Sequence, residues 1–360
     1  MCDVKLLFPV LFLTGIGIVM IYSASSEIAL KKFGNDYYFF QKQALFAGLG
    51  LLALMICRYL PYKFFRSAVY VIVALAIVLL VAVLIKGIGF SAGGATRWLH
   101  IKGFSFQPSE LARFAMIIYL AYSLSKKKDR IEDLYIGFLP HVGVFCLFAG
   151  LIFMQPDFGS IVILAVITWI MMFAGGVRLL HLFSSMFLVM IFGSFLMLDA
   201  EYRIKRWTTF LDPWQYPTGE GYQIIHSLMA FGTGGLWGTG VGKGYQKLFY
   251  LPEPHTDFIF SVIGEELGLC GVLVILVLYL IILWRGISIA MNTKDRFASF
   301  LATGLTASIG LQVCVNMGVT MGLLPTKGLT LPFLSYGGTS LLFNMISIGI
   351  LMNIGVAQNS

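Results

Sequence analysis

Apolar runs of about twenty residues, each bounded by polar or charged residues, recur along the whole chain. A helix of about 20 residues crosses the roughly 30 Å hydrocarbon core of a bilayer, where only helices and closed barrels satisfy their backbone hydrogen bonds. Only 12% of the residues are charged, about half the share typical of soluble domains. The sequence therefore excludes a water-soluble globular protein and predicts an all-α, polytopic integral membrane protein.

The runs predict about ten transmembrane helices in one membrane domain that covers residues 1–360. The break at Gln155, Pro156 and Asp157 is short, so residues 138–174 form either two helices or one broken helix. The first run is longer than a typical signal-peptide core, which favours an uncleaved span. The predicted spans are residues 6–24, 41–58, 66–86, 108–124, 138–154, 158–174, 179–198, 258–284, 298–321 and 337–356.

The distribution of Lys and Arg predicts the orientation. These residues are more numerous in the loops on the N-terminal side than in the short loops opposite, so both termini are expected in the cytoplasm. Residues 87–107 and the long extracytoplasmic loop 199–257 then face outward together. The long loop is the only segment large enough to build a site outside the membrane, and loops of this length are usually functional.

The net charge of +8 at pH 7 is consistent with an anionic partner. Basic residues and aromatic residues do not alternate in a long block, so nucleic acid is not predicted, and anionic lipid headgroups are the expected partners. The five cysteines include no CxxC pair, which predicts packing residues rather than metal ligands or disulfides.

Ionisable side chains crowd the end of the long loop, at Glu253, His255 and Asp257, directly before an apolar run. Charged groups at such a place are costly unless they have a partner or a role. Thr256 is predicted to cap the following helix and to place Asp257 in its first turn. Asp257 then either complements the helix dipole or acts as a catalytic base. For a base, desolvation by a bound lipid substrate would have to raise its pKa.

The same loop suggests two kinds of ligand site. Asp257 and Glu253 are candidates to hold Mg²⁺ or Mn²⁺ beside a diphosphate, whereas no spacing typical of zinc occurs, and no organic cofactor is predicted. The glycine-rich stretch 232–244 matches neither GxGxxG nor the Walker A pattern. Its backbone either offers N–H groups to a phosphate or allows a re-entrant turn.

A few ionisable residues fall within the apolar runs. Glu110 and Arg113 are three residues apart, which favours a pair on one helix face. Glu265 and Glu266 cannot share one helix face, so at least one is expected to point into the bundle. There they either bind a cation or proton, or accept hydrogen bonds from polar groups such as Gln312, Asn316 and Asn344.

Seven motifs, in order along nearly the whole chain, resemble the SEDS family (shape, elongation, division and sporulation). Residues 326–329 (TKGL) are more similar to the division-type members than to the elongation-type members. Two residues depart from the usual family pattern, His226 and Thr339, and both keep hydrogen-bonding capacity. The motifs are GATRWL (94–99), FQPSELAR (106–113), QPDFG (155–159), GEGYQ (219–223), YLPEPHTDFIF (250–260), EELG (265–268) and PFLSYGGTSL (332–341).

The resemblance implies a peptidoglycan glycosyltransferase that polymerises lipid II, an undecaprenyl-diphosphate disaccharide-pentapeptide, at the outer face of the cytoplasmic membrane during septal wall synthesis. The essential loop aspartate of the family falls on Asp257, as general base. A class B penicillin-binding protein and other division proteins are implied partners. The residues expected to contact substrate are Arg97, Trp98, Arg203, Arg206, Lys243, Lys247, Glu253, His255, Thr256, Lys327 and Ser335.

Three other functions remain open at this point. A lipid II flippase needs a polar path, for which the visible candidates are Glu110, Arg113, Glu265, Glu266 and Asn316. An elongation-type polymerase would have the same chemistry as the division type. A scaffold would only position a partner synthase. A small-solute transporter is disfavoured because two related halves with matching broken helices are not visible in the sequence.

Overall fold

A computed structural model of the chain describes residues 3–92, 95–101, 104–127, 130–198, 208–219, 221–249, 251, 253–326 and 328–357. The fold is a helical membrane bundle with a small outer sheet. Its helices are α1 (Val4–Phe33), α2 (Tyr38–Tyr59), α3 (Lys63–Ser67), α4 (Val69–Leu84), α5 (Pro108–Lys126), α6 (Leu139–Phe153), α7 (Phe158–Gly175), α8 (Leu179–Leu198), α9 (Tyr222–Gly234), α10 (Gln246–Phe249), α11 (Ile259–Asn292), α12 (Arg296–Thr320) and α13 (Gly338–Ala357).

A helix lies on every predicted span, which confirms the all-α membrane fold. Within the described residues, seven helical segments are long and apolar enough to cross a membrane, and α4 and part of α8 are shorter apolar helices. Residues 138–174 form two helices, α6 and α7, which pack against each other. The short break predicted there is therefore the turn of a helical hairpin rather than a kink in one helix.

The centre of the bundle is formed by α5, α12 and α13, whose side chains are mostly buried. Helix α5 packs against α4, α7 and α12, and α13 packs against α2. Small residues let these helices approach closely. A methyl group added at Gly304 of α12 would lie 2.6 Å from side-chain atoms of both Ile117 and Met171. Small residues at helix interfaces are a usual basis of close helix association in membranes.

Residues 89–106 contain a three-stranded antiparallel sheet, with β1 (Gly89–Ala92), β2 (Ala95–Ile101) and β3 (Phe104–Phe106) in the order β1-β2-β3. The sequence interpretation placed only a loop here, because strands of three to seven residues carry little periodic signal. Trp98 pairs with Phe90 and Thr96 pairs with Ser91, so Arg97 is the extra residue of a β-bulge. A β-bulge changes the direction in which a side chain points, and bulges are common next to functional sites.

Helix α11 is interrupted at Gly268, which has φ 65° and ψ −167°. The glycine-rich segment after α9 packs into this break. The amide of Leu269 donates to the Gly235 carbonyl at 3.0 Å, and the amide of Cys270 donates to the Leu236 carbonyl at 3.1 Å. A methyl group at Gly238 would lie 2.2 Å from the Glu266 carbonyl oxygen, so only glycine permits this approach. The segment is thus part of the bundle.

Candidate active site

Asp257 lies in a turn that immediately precedes α11. The backbone amide and the hydroxyl of Thr256 both donate to the Glu253 carbonyl, at 3.2 and 3.0 Å, and Glu253 has a left-handed φ of 51°. The helix therefore begins at Ile259, with Phe258 at its N-cap position. The prediction that Thr256 caps the helix is wrong, because its hydroxyl is directed back into the turn. Asp257 precedes the first helical turn instead of lying within it.

Two other segments hold Asp257 in place. The side-chain amide of Asn316 in α12 donates to the Asp257 carbonyl at 3.0 Å and to the Leu329 carbonyl at 2.6 Å. The backbone of Gly328 passes beside the carboxylate, since a methyl group there would lie 3.1 Å from Oδ2. Asn316, which the sequence predicts only as an intramembrane polar residue, thus positions the turn that carries Asp257.

The surroundings of Asp257 disfavour its charged form. Burial, and then the nearby carboxylate of Glu253, raise the pKa of Asp257 to about 7, whereas the charge of Arg97 acts to lower it. The sequence interpretation required a bound lipid to raise this pKa, but the protein alone already raises it. A carboxyl with a pKa near 7 is suited to accept a proton at neutral pH.

Arg97 connects the outer sheet to the turn between α6 and α7. Its guanidinium donates to the Pro156 carbonyl and lies 3.9 Å from the carboxylate of Asp157. Asp157 also caps α7, because its oxygens accept from the amide and the hydroxyl of Ser160 at 3.4 and 2.7 Å. Sequence reasoning did not list Asp157 as a site residue, although an Asp before an apolar helix is a capping signal. Trp98, the neighbour of Arg97, is half-buried in the sheet.

His255 is a packed residue of the same turn. Its ring lies 4.4 Å from that of Phe39 and 5.5 Å from that of Tyr336, and its carbonyl accepts from the Tyr336 amide at 2.9 Å. Burial, together with the charge of Lys32, lowers the pKa of His255 to about 4. His255 is therefore neutral at physiological pH, although its Nε2 lies 3.7 Å from Oε2 of Glu253.

Ser335 lies in the loop before α13 and is buried. Its hydroxyl accepts from the Leu331 amide at 2.8 Å, and its carbonyl accepts from the Gln43 side chain at 3.3 Å. Thr339 links this region to the sheet, since its hydroxyl donates to the Ser105 carbonyl at 3.1 Å. These contacts support a structural role for Ser335, and its predicted contact with substrate stays a prediction.

A second charged cluster joins Lys247, Glu266 and Ser23. The ammonium of Lys247 pairs with the Glu266 carboxylate and donates to the Ser23 hydroxyl at 2.7 Å. The Ser23 hydroxyl in turn donates to Glu266 at 2.8 Å, and both charged side chains are almost fully buried. The ammonium of Lys247 is thus already neutralised inside the protein. Its predicted role in diphosphate binding remains a prediction, and its contacts support a structural role.

The carboxylates of the EELG motif receive hydrogen bonds from the glycine-rich segment. Glu265 accepts from the amides of Tyr245 and Gln246 at 2.8 and 3.2 Å, and Glu266 accepts from the Gly242 amide at 3.1 Å. These backbone groups bind carboxylates of the chain itself, which favours the re-entrant interpretation over a phosphate loop. It also corrects the suggestion that Gln312, Asn316 or Asn344 would be their partners.

The remaining predicted residues divide into three groups. Arg113 donates to Glu110 within α5, as the spacing predicts. Lys243 is exposed in the glycine-rich segment. Arg203, Arg206 and Lys327 lie outside the described residues.

The sequence profile of the FtsW, RodA and SpoVE cell cycle protein family matches residues 4–360. The chain belongs to this family. The probable peptidoglycan glycosyltransferase FtsW of Trichlorobacter lovleyi is 48% identical over 352 residues, which are 98% of this chain and 92% of that protein. Stage V sporulation protein E of Bacillus subtilis is 43% identical over 353 residues, covering 98% and 96% of the two chains.

The fold of this FtsW, RodA and SpoVE family member also matches a solved structure. A chain in a structure described as "Structural coordination of polymerization and crosslinking by a peptidoglycan synthase complex" superposes with a TM-score of 0.82. The match covers 99% of this chain and 98% of that chain at 26% identity. The resemblance inferred from the motifs is thereby confirmed.

The acidic residues of the family member fit a divalent cation only in part. Among the described residues, no group of three or more His, Cys, Asp or Glu side chains is placed to hold a metal ion. Glu253 and Asp257 supply two carboxylates. This is enough for a Mg²⁺ that keeps waters or phosphate oxygens as its other ligands.

Proposed function

We propose that this chain is a septal peptidoglycan glycosyltransferase in which Asp257 is the general base. The observation that carries the proposal is the Asp257 carboxyl, whose pKa of about 7 is set by burial and by Glu253. The relatives named as probable peptidoglycan glycosyltransferases FtsW share almost the full length of the chain. Their names support the division role over the elongation role.

In the proposed reaction, Asp257 removes the proton of the acceptor sugar hydroxyl as its oxygen attacks the anomeric carbon of the lipid II donor. The new glycosidic bond forms as the bond from the anomeric carbon to the diphosphate breaks, with inversion at that carbon. Undecaprenyl diphosphate leaves with the electron pair, and the proton stays on Asp257. Arg97 contributes positive charge near the site, which stabilises the anionic leaving group.

The proposed orientation places this site at the outer face of the cytoplasmic membrane. Asp257 lies before the start of α11, and Arg285 and Lys294 lie at or beyond its far end. Arg285 pairs there with Asp3 at 2.7 Å, next to the start of α1. The greater number of Lys and Arg in the loops at this far end supports a cytoplasmic location for it.

The proposal includes a partner protein and a divalent cation. We expect a class B penicillin-binding protein as partner, and the similarity to a chain of a peptidoglycan synthase complex supports this. A Mg²⁺ or Mn²⁺ held by Glu253 and Asp257 would supply positive charge to the diphosphate. Removing divalent cations with a chelator, and restoring each cation separately, measures whether polymerisation requires one.

The decisive experiment measures glycan strands formed from lipid II by the purified chain with its cognate class B penicillin-binding protein. Polymer is expected from the wild-type complex. A folded complex that forms no polymer but moves lipid II across a vesicle bilayer would instead support a flippase. A folded complex with neither activity would support a scaffold.

The rate of polymerisation is expected to rise with pH between about pH 6 and about pH 8, with a midpoint near the pKa of Asp257 of about 7. The rate rises because a base must be ionised to accept a proton, and the ionised fraction of Asp257 increases with pH. Polymerisation rates with lipid II well below saturation, which report the ionisation of the free enzyme, test the prediction when measured across this range. A rate that falls over the same range would contradict it.

Replacing Arg97 with Gln is expected to move this midpoint to higher pH, because Arg97 acts to lower the pKa of Asp257. A rise of about one in the pKa would reduce the rate at pH 7 about fivefold, since less of the carboxylate is ionised. Arg97→Lys keeps the charge and serves as the matched control. An unchanged midpoint in Arg97→Gln, even with a lower rate, would mean that Arg97 acts only through its contact with Pro156 and Asp157.

A further inference from the structure

A basic cleft of about 430 Å³ lies at the end of the bundle opposite to Asp257, between the start of α4 and the end of α5. Helix α5 begins beside the outer sheet and ends at this cleft. Three tyrosines and three cationic side chains line it. They are Tyr70, Tyr119, Tyr122, Lys126, Lys127 and Arg130.

Contacts within the cleft position two of its three cations, one against an aromatic ring and one against a backbone carbonyl. The Lys126 ammonium lies 5.7 Å from the centre of the Tyr122 ring, and that ring packs edge-on against Tyr70 at 5.8 Å. The Lys127 ammonium donates to the Ile136 carbonyl at 2.9 Å. Tyrosine next to Lys and Arg is typical of the membrane–water interface. Lys127 is half-buried, whereas Lys126 and Arg130 are exposed at the mouth of the cleft.

The positive charge of the cleft is not neutralised by the described part of the chain. Lys126, Lys127 and Arg130 form no ion pair with any described carboxylate. The nearest carboxylates in sequence have other partners, since Glu132 pairs with Arg178 at 3.2 Å and Asp133 accepts from backbone amides. Residues 126–130 (KKKDR) carry four cations and one carboxylate.

The position of the cleft indicates where its ligand comes from. Tyr70 is 65% exposed on α4, next to Val71 at 70%, so the aromatic wall continues into the apolar surface that faces lipid. A ligand that fits both the basic cleft and this apolar surface has a phosphate group and an acyl chain. The phosphate would contact the cations and the tyrosine hydroxyls, and the acyl chain would lie along α4. Basic pockets between transmembrane helices on the cytoplasmic side bind such headgroups.

We propose that this cleft binds the headgroup phosphate of an anionic phospholipid in the leaflet at the N-terminal end of the bundle. The phosphate lies between Lys126 and Arg130, and the tyrosine hydroxyls donate to its oxygens. The ligand is distinct from the diphosphate substrate, which the proposed function places at the opposite end of the bundle.

Native mass spectrometry of the purified full chain, with phosphatidylglycerol or phosphatidylethanolamine added, tests the proposal. The wild type is expected to retain phosphatidylglycerol preferentially. The double variant Lys126→Gln and Arg130→Gln is expected to bind it about thirtyfold more weakly, given about 1 kcal/mol for each of the two cations near an anionic lipid. The matched control, Lys63→Gln and Arg66→Gln, removes two exposed cations from the same end and is expected to change binding less than about twofold.

Three results would overturn the proposal. The first is that the wild type retains the two lipids equally. The second is that the cleft variant and the control variant lose binding equally. The third is that millimolar inorganic phosphate displaces phosphatidylglycerol, which would assign the site to the free anion. The wild-type comparison of the two lipids needs no variant, so it decides the matter even where a variant fails to fold. Lys126→Arg, which keeps the charge, is expected to retain wild-type binding.

Discussion

Replacing Asp257 with Asn is expected to lower the rate of glycan polymerisation by about 10²- to 10⁴-fold, the usual contribution of a general base. Asn has nearly the same shape but cannot accept the proton of the sugar hydroxyl. The fold is expected to persist, because the hydrogen bond from Asn316 reaches the backbone carbonyl of residue 257 and not its side chain. Polymer length and yield from lipid II, with the partner synthase present, measure the effect.

Glu253→Gln is the matched control for this experiment. Glu253 is a second carboxyl of the same turn, and its side chain is 60% exposed. Its charge raises the pKa of Asp257, so its removal is expected to move the pH midpoint of the rate downward. Activity at neutral pH is expected to persist if polymerisation needs no divalent cation held by Glu253. Wild-type activity in Asp257→Asn would exclude Asp257 as the base. An equal loss in both variants would point to the shared negative charge of the turn, or to a divalent cation that it holds, instead of proton transfer.

Replacing Glu266 with Gln is expected to destabilise the protein by about 3–5 kcal/mol, the usual effect of removing one partner of a buried ion pair. The variant leaves the Lys247 ammonium buried without a counter-charge, and it weakens the contact with Ser23. The temperature at which the purified protein loses its monodisperse state in detergent measures the change. Glu132→Gln breaks the exposed pair with Arg178 and is expected to cost less than about 1 kcal/mol.

A double variant tests whether the lost stability of Glu266→Gln comes from the unpaired charge of Lys247. Lys247→Met with Glu266→Gln removes both charges, and its stability is expected to return close to that of the wild type. Equal stability of Glu266→Gln and the wild type would show that the ion pair contributes nothing. A double variant as unstable as the single one would mean that the charged carboxylate of Glu266 stabilises the protein through the hydrogen bonds it accepts from Ser23 and the Gly242 amide, and not through the ion pair.

The sequence predicts the helices well because each long apolar run has to form its backbone hydrogen bonds within the membrane. The small outer sheet was not predicted, since strands of three to seven residues in an outer loop lack a clear period. The break of α11 at Gly268 was also missed, because a single glycine in an apolar run does not reveal the segment that packs against it.

The candidate site was predicted in part for similar reasons. Asp257 is conspicuous because a charged residue directly before an apolar run is costly. The partners of Lys247 and Glu265 were not foreseen, since they depend on how the glycine-rich segment folds back onto α11. Nor does the sequence alone show that Arg97 reaches Asp157, which lies in the turn between α6 and α7.

The pairing of Lys247 with Glu266 also constrains how the chain enters the membrane during synthesis. Lys247 precedes Glu266 by 19 residues, so the cation leaves the ribosome first. An unpaired carboxylate raises the cost of inserting an apolar segment by a few kcal/mol. Insertion of α11 and docking of the glycine-rich segment are therefore expected to occur as one step of biogenesis. An epitope inserted between Gly242 and Lys247 is then expected to lower the yield of membrane-integrated protein, whereas a tag after Asn292 is not.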